Sequence, residues 1–198
     1  AGCAGSAAAC VLAREGKGVL LVERGTDAGS KNMTGGRIYT HALRDVIPDF
    51  EDDAPLERRI TCERISLMTE DAATTVEYAS PALGAPENAS YAVLRGPFDS
   101  WLASKAEQAG AECVFGITVD GLVKDGARIA GIRANGDEIT ADITILADGA
   151  NSLLVEEAGL GKRPLPHQMA VSAKETIALP PETIDDRFRA APGEGTAW

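Results

Sequence analysis

The hydrophobic positions of this chain change period several times, and each change predicts an element. From Ser6 to Arg14 the residues are small and helix-compatible (Ala7, Ala8, Ala9, Cys10, Leu12, Ala13), and Gly16 and Gly18 follow. That pattern predicts a helix packed closely on a sheet and stopped by glycine. Val19-Leu20-Leu21-Val22 is a continuous apolar run, as in a strand buried on both faces. The polar stretch TDAGSKNMTGGRIY (26–39) then carries Gly29, Gly35 and Gly36. It is too long for a tight turn and reads as an extended loop, in which glycines let backbone approach a ligand.

A short helix around His41 to Ile47 is predicted to break at Pro48, with strands at Ile60–Thr69 and Thr74–Tyr78 around the turn EDAA. Residues 80–90 have loop composition. YAVLRG reads as a strand ending at Arg95, and Phe98, Trp101, Leu102, Lys105, Ala106 and Ala109 then recur at helical spacing up to Gly110. Phe98 and Trp101 are expected as core anchors.

A strand from Cys113 to Phe115 precedes an antiparallel meander, TVDGLV and RIAGIRA around KDGA, then NGD leading into EITADITILA. Its last apolar strand is expected at Ile143–Ala147, followed by DGANS (148–152) and a helical start at Leu153-Leu154-Val155. Beyond a loop at Gly159–Pro166, a strand at Met169–Thr176, a helix opened by Pro180-Pro181-Glu182 and the start of a strand in GEGTAW complete the pattern. The alternation of helices and buried strands gives an α/β class, a Rossmann-like parallel sheet with an antiparallel meander.

Composition narrows the function. The chain has 198 residues, 44% hydrophobic and 25% charged, which suits a soluble globular fold. No apolar run reaches the ~20 residues of a spanning helix. Nineteen basic against thirty acidic residues give a net charge of −11, so nucleic acid is rejected as a partner. The acidic run DVIPDFEDDAPLE is read as a solvated loop rather than a docking patch. Cys3, Cys10, Cys62 and Cys113 include no C-x-x-C pair, so no metal site is expected and the thiols read as small buried groups in a reducing cytoplasm. His41 and His167 stand alone and are expected in surface or capping roles.

The candidate chemistry lies at the start. Gly2 and Gly5 have the spacing of the back half of a dinucleotide fingerprint, and Glu23 stands 21 positions after Gly2 at the end of the next strand. In such a fingerprint the helix start faces a pyrophosphate and the carboxylate accepts from a ribose diol. The strand and first glycine of a full fingerprint do not precede Gly2 here, so residue 1 is expected not to be the natural start.

Together, VERGTDAGSKNMTGGRIYTHAL, IPDFEDDAPLERR, LRGPFDSWLASKAEQAGA and LADGANSLL resemble the FixC-type electron-transfer-flavoprotein:quinone oxidoreductases. These share a flavoprotein fold with geranylgeranyl reductases and aromatic hydroxylases. The resemblance implies FAD as cofactor. Gly2, Gly5 and the first turn from Ser6 would face its pyrophosphate, Glu23 the adenosine ribose, with Arg24 beside it. Gly35 and Gly36 would line the flavin side, Arg95 would reach the phosphate–ribityl stretch, Val119 would lie near adenine, and Asp148 and Gly149 would sit at the pyrophosphate end. Residues 1–59 and 91–163 would form the FAD-binding domain, and 60–90 with 164–198 part of a quinone-side substrate domain. The second Gly-Asp motif of such enzymes is expected beyond position 198.

The implied activity passes electrons from a reduced electron-transfer flavoprotein to a quinone, with a ferredoxin-like protein as a further partner. No catalytic side chain is expected, because the flavin carries the redox chemistry. The expected location is the cytoplasm, with peripheral contact at the inner membrane. Two alternatives stand beside this reading. One is a geranylgeranyl-reductase-like or hydroxylase-like flavoenzyme reduced by NAD(P)H; the other is a non-catalytic folded module.

Overall fold

A computed structural model describes residues 1–32, 35–162 and 164–198. Met33 and Thr34 of the glycine-rich stretch, and Arg163 in the loop expected at 159–166, lie outside the described residues. The elements in chain order are α1 (Cys3–Arg14), β1 (Leu20–Val22), β2 (Gly35–Tyr39), α2 (Thr40–Val46), β3 (Leu56–Met68), β4 (Ala73–Ala79), β5 (Ser90–Leu94), α3 (Arg95–Gln108), β6 (Glu112–Val114), β7 (Val119–Asp125), β8 (Arg128–Ala134), β9 (Asp137–Thr140), α4 (Leu153–Glu157), α5 (Pro181–Phe188) and β10 (Glu194–Ala197). Among the described residues no helix is long and apolar enough to cross a membrane.

The chain forms two compact units, residues 1–32 with 99–173 and residues 33–98 with 174–198. These boundaries differ from those expected at 59/60 and 90/91. The reason is strand pairing: β2 runs antiparallel to β5 from Gly35↔Leu94 to Tyr39↔Ser90, which draws residues 33–59 into the second unit.

In the first unit β1 and β6 pair in parallel, Leu20↔Glu112 to Val22↔Val114. The meander is present as the antiparallel order β7-β8-β9. Small residues let backbones approach: Ala1, Ala28 and Ala103 form a buried cluster against Leu21 and Phe115. The inner face of α1 is Gly5, Ser6, Ala9, Cys10 and Ala13, and Cys10 Sγ lies 3.8 Å from the Lys105 carbonyl of α3. On α3 the buried positions in this unit are Asp99, Leu102, Ala103 and Ala106, an i, i+3, i+4, i+7 stripe. Trp101 is therefore not a core anchor. It is half-buried, with Lys105 Nζ 5.7 Å from its ring centroid.

The second unit is a sheet of order β10-β3-β5-β2, with β4 also on β3. The 13-residue β3 changes partner along its length, pairing with β5 and β10 early and with β4 late. Ile47 and Phe50, 1% and 0% exposed, supply its core. On the β3–β4 hairpin, Ile65 faces Val76 and Leu67 faces Thr74 on one side, while Arg64 faces Glu77 and Ser66 faces Thr75 on the other.

Three expectations are corrected. Helix α1 starts at Cys3 rather than Ser6, because nothing in Cys3-Ala4-Gly5 obstructs the first turn against the sheet. The long loop ends earlier than Tyr39, because Gly35-Gly36-Arg37-Ile38-Tyr39 finds ladder partners in β5 despite the low strand propensity of glycine. Neither Ile143–Ala147 nor Met169–Thr176 is a strand. Apolar content gives a run its propensity, but a strand also needs a neighbour for its backbone groups. Ile143 and Val171 are accordingly exposed.

Candidate functional site

The site is built on the leading end of α1. Gly2 is its N-cap in extended geometry (φ −81°, ψ 177°), no side chain caps the helix, and its first turn carries no acid. Ser6 N donates to Gly2 O at 2.9 Å, so the first intrahelical bond spends the Ser6 amide. The amides of Cys3, Ala4 and Gly5 are those a helix cannot satisfy itself, and positive potential collects there. The Ser6 side chain is fully buried, its hydroxyl without a hydrogen-bond partner among the described residues. Ser6 thus belongs to the packed face, and the amides before it are the ones presented.

The two glycines differ in surroundings. A Cβ at Gly2 would meet no described atom within 4 Å. A Cβ at Gly5 would stand 3.3 Å from Leu21 Cδ1 and 3.5 Å from Ala147 Cβ. Gly5 is the point where α1 lies against β1 and against the residue before Asp148.

Glu23 closes β1 and is held there by backbone: its N–H donates to Val114 O at 2.8 Å and its carbonyl accepts from Ile117 N at 3.0 Å. Its carboxylate reaches back to the helix start. Oε2 accepts from the Ala1 nitrogen at 2.7 Å and Oε1 from Gly25 N at 2.6 Å. Burial works against the charge, while the bond from the Gly25 N–H and the positive charge of Lys31 work for it.

The loop after Glu23 is compact. Gly25 O accepts from Gly116 N at 2.7 Å, Ser30 Oγ donates to Asp27 O at 2.8 Å, and Asn32 N donates to Gly29 O at 2.8 Å. Gly25 could carry no side chain, because a Cβ there would lie 2.5 Å from Ser30 Oγ and 2.9 Å from Asp27 O. Arg24 is exposed beside it.

These residues fit an adenine dinucleotide. The helix start has no side-chain cap and no acid within its own first turn. The carboxylate that would take the ribose diol is fixed at the end of β1, and both of its oxygens keep acceptor capacity.

The other predicted residues are placed as follows. Asp148 and Gly149 are exposed, and Asp148 Oδ2 accepts from Leu154 N at 3.1 Å, fastening the start of α4. Val119 begins β7 opposite Ala134. Gly35, Gly36 and Arg95 belong to the second unit. Gly35 faces Leu94 so closely that a Cβ would lie 2.7 Å from Val93 O, and Arg95 opens α3. A cleft of about 350 Å³ in that unit is lined in part by Arg37, Tyr39, His41, Glu63 and Tyr78. Arg37 is already committed there, to Glu63 at 2.6 Å, to Ser90 Oγ at 2.8 Å and to the face of Tyr39.

Sequence reasoning missed Asp99 and Asn32. Asp99 Oδ2 accepts from Asn32 Nδ2 at 2.6 Å, and Oδ1 accepts from Cys3 Sγ at 3.2 Å. The available signal was an acid in phase with Leu102, Ala103 and Ala106 on the apolar stripe of a helix.

No family model matches the chain. Protein FixC of Escherichia coli K12 is 50% identical over 197 residues, covering 100% of this chain and 46% of that protein. The protein named "Probable electron transfer flavoprotein-quinone oxidoreductase YdiS" from the same organism is 48% identical over 198 residues, with the same two coverages. The chain thus spans about half the length of the curated relatives it matches. Among solved structures, a geranylgeranyl bacteriochlorophyll reductase-like protein from Thermoplasma acidophilum superposes with TM-score 0.66 at 26% identity, over 83% of this chain and 41% of that one. Halogenase PltM in complex with phloroglucinol and FAD gives TM-score 0.62 at 17% identity, over 80% of this chain and 35% of that one. The fold is the mixed α/β arrangement of these reductase and halogenase structures.

Proposed function

On the premise that the chain is similar to FixC-type proteins throughout, we propose that this protein is an FAD-dependent oxidoreductase that takes electrons from a reduced electron-transfer flavoprotein and passes them to a quinone. The observation that carries the cofactor is the meeting of the uncapped α1 start with the end of β1, where Ala1 packs against Leu21 and Glu23 is fixed by backbone bonds to Val114 and Ile117. The amides of Cys3, Ala4 and Gly5 hold the pyrophosphate, where the helix field favours an anion. Glu23 orients the adenosine ribose, and the compact loop from Arg24 to Asn32 limits water beside it. Bound flavin supplies the hydride and single-electron chemistry, and the chain supplies position and access. Gly35, Gly36, Arg95, Val119, Asp148 and Gly149 stay in the proposal on the resemblance. So do the ferredoxin-like partner and the peripheral membrane contact.

The test is reduction of the purified full-length protein. Its visible spectrum should show flavin that bleaches with reduced electron-transfer flavoprotein and reoxidises with a quinone analogue. Bleaching by NAD(P)H alone would replace the electron route with that of a nicotinamide-reduced enzyme. An absence of flavin absorbance would refute the cofactor.

A further inference from the structure

The loop from Arg24 to Asn32 is bracketed by two carboxylates, and the second ties it to the start of α1. At one end Glu23 holds Gly25. At the other, Asp99 on α3 holds Asn32 and Cys3, the first residue of α1. The two acids differ in exposure. Glu23 retains 22% of its side-chain surface, whereas Asp99 retains none. A carboxylate withdrawn completely from water is costly unless it is hydrogen-bonded. Its negative charge beside the helix end would also oppose an anionic ligand, so direct contact with a pyrophosphate is not its role. What it does is geometric: its two oxygens join the helix start and the end of the loop to α3.

We infer that Asp99 is a positioning residue for the dinucleotide, acting through Asn32 and Cys3. It sets the distance between the loop end and the first turn of α1, so that the loop backbone closes beside the amides of Cys3, Ala4 and Gly5. The inference rests on the dinucleotide reading above. It goes beyond that reading by giving a role to two residues, Asp99 and Asn32, that touch neither phosphate nor ribose.

Asparagine at 99 has one acceptor oxygen in place of two, so it can keep the bond from Asn32 or the bond from Cys3 but not both. In Asp99→Asn combined with Asn32→Asp, the new amide donates to the new carboxylate and its oxygen still accepts from Cys3. Both bonds return with the polarity of one reversed. The experiment measures FAD dissociation from the full-length holoprotein by the rise in flavin fluorescence, with thermal unfolding of each variant alongside.

Asp99→Asn should release FAD about tenfold faster, the effect of one lost bond of ordinary strength. Asn32→Ala removes the donor from an exposed residue and should speed release about fivefold, with the unfolding curve reporting any cost to Asp99. The reciprocal double variant should return to within about threefold of the unaltered protein. Release at the unaltered rate in both single variants would overturn the inference while leaving the dinucleotide reading in place. A double variant no slower than Asp99→Asn would do the same, since it would show that a charge at 99 matters rather than the bracket. Absence of flavin from the unaltered full-length protein would remove the reading and the inference together.

Discussion

The two units manage their acidic groups differently. Around the α1 start, Asn32 and Cys3 side chains and the Gly25 N–H bond to Asp99 and Glu23. The surrounding residues are alanine and glycine. In the second unit carboxylates meet arginines: Asp185 with Arg58, Glu63 with Arg37, Glu77 with Arg64 and Glu51 with Arg44. An acid held by amides and a thiol fixes backbone and keeps arginine side chains out of the site. An acid matched to an arginine closes its own charge and stabilises a sheet. The difference separates a region shaped for approach from one shaped for cohesion.

The comparison can be broken most severely at Gly5. Leucine there has no room between Leu21 and Ala147, and overpacking of this kind costs about 3 kcal/mol. Gly5→Leu should lower the melting temperature and purify without flavin; unchanged absorbance would place the site elsewhere. Next comes Glu23→Ala, which should weaken FAD binding by roughly 30-fold, about 2 kcal/mol for charge-assisted hydrogen bonds. Fluorescence titration reads it directly, and Glu23→Gln should fall between the variant and the unaltered protein.

In the second unit Arg58 bonds to Asp185, to Glu194 O at 2.8 Å and to Pro181 O at 3.1 Å. Arg58→Met should therefore cost about 1–2 kcal/mol of stability by urea unfolding with FAD affinity unchanged. A loss of affinity there would erase the distinction between the units.

Smallest is Arg44→Ala, which breaks an exposed pair at 3.1 Å and should shift stability by no more than about 0.5 kcal/mol.

The first helix, the strand after it and the acid at that strand's end were legible in the sequence. Gly2, Gly5 and Glu23 announced themselves by order, because a helix of small residues, a buried strand and a terminal carboxylate are local features. Asp99 did not. The stripe on α3 was first phased through Phe98, Trp101 and Lys105, and only packing against α1 shows that the buried face includes Asp99 in place of Trp101. Gly35 and Gly36 read as loop for a related reason: their conformation is dictated by Leu94 and Val93, nearly sixty residues away.

From its residues alone, then, this chain determined an α/β fold, its first helix and the strand that carries Glu23 at its end. Those depend on neighbours within a few dozen positions and on periodicity. Tertiary structure alone decided which strands found partners, where the long loop ended, and that a second acid 67 positions from Asn32 closes it. Side chains far apart in sequence acquire distances only when the backbone between them is folded.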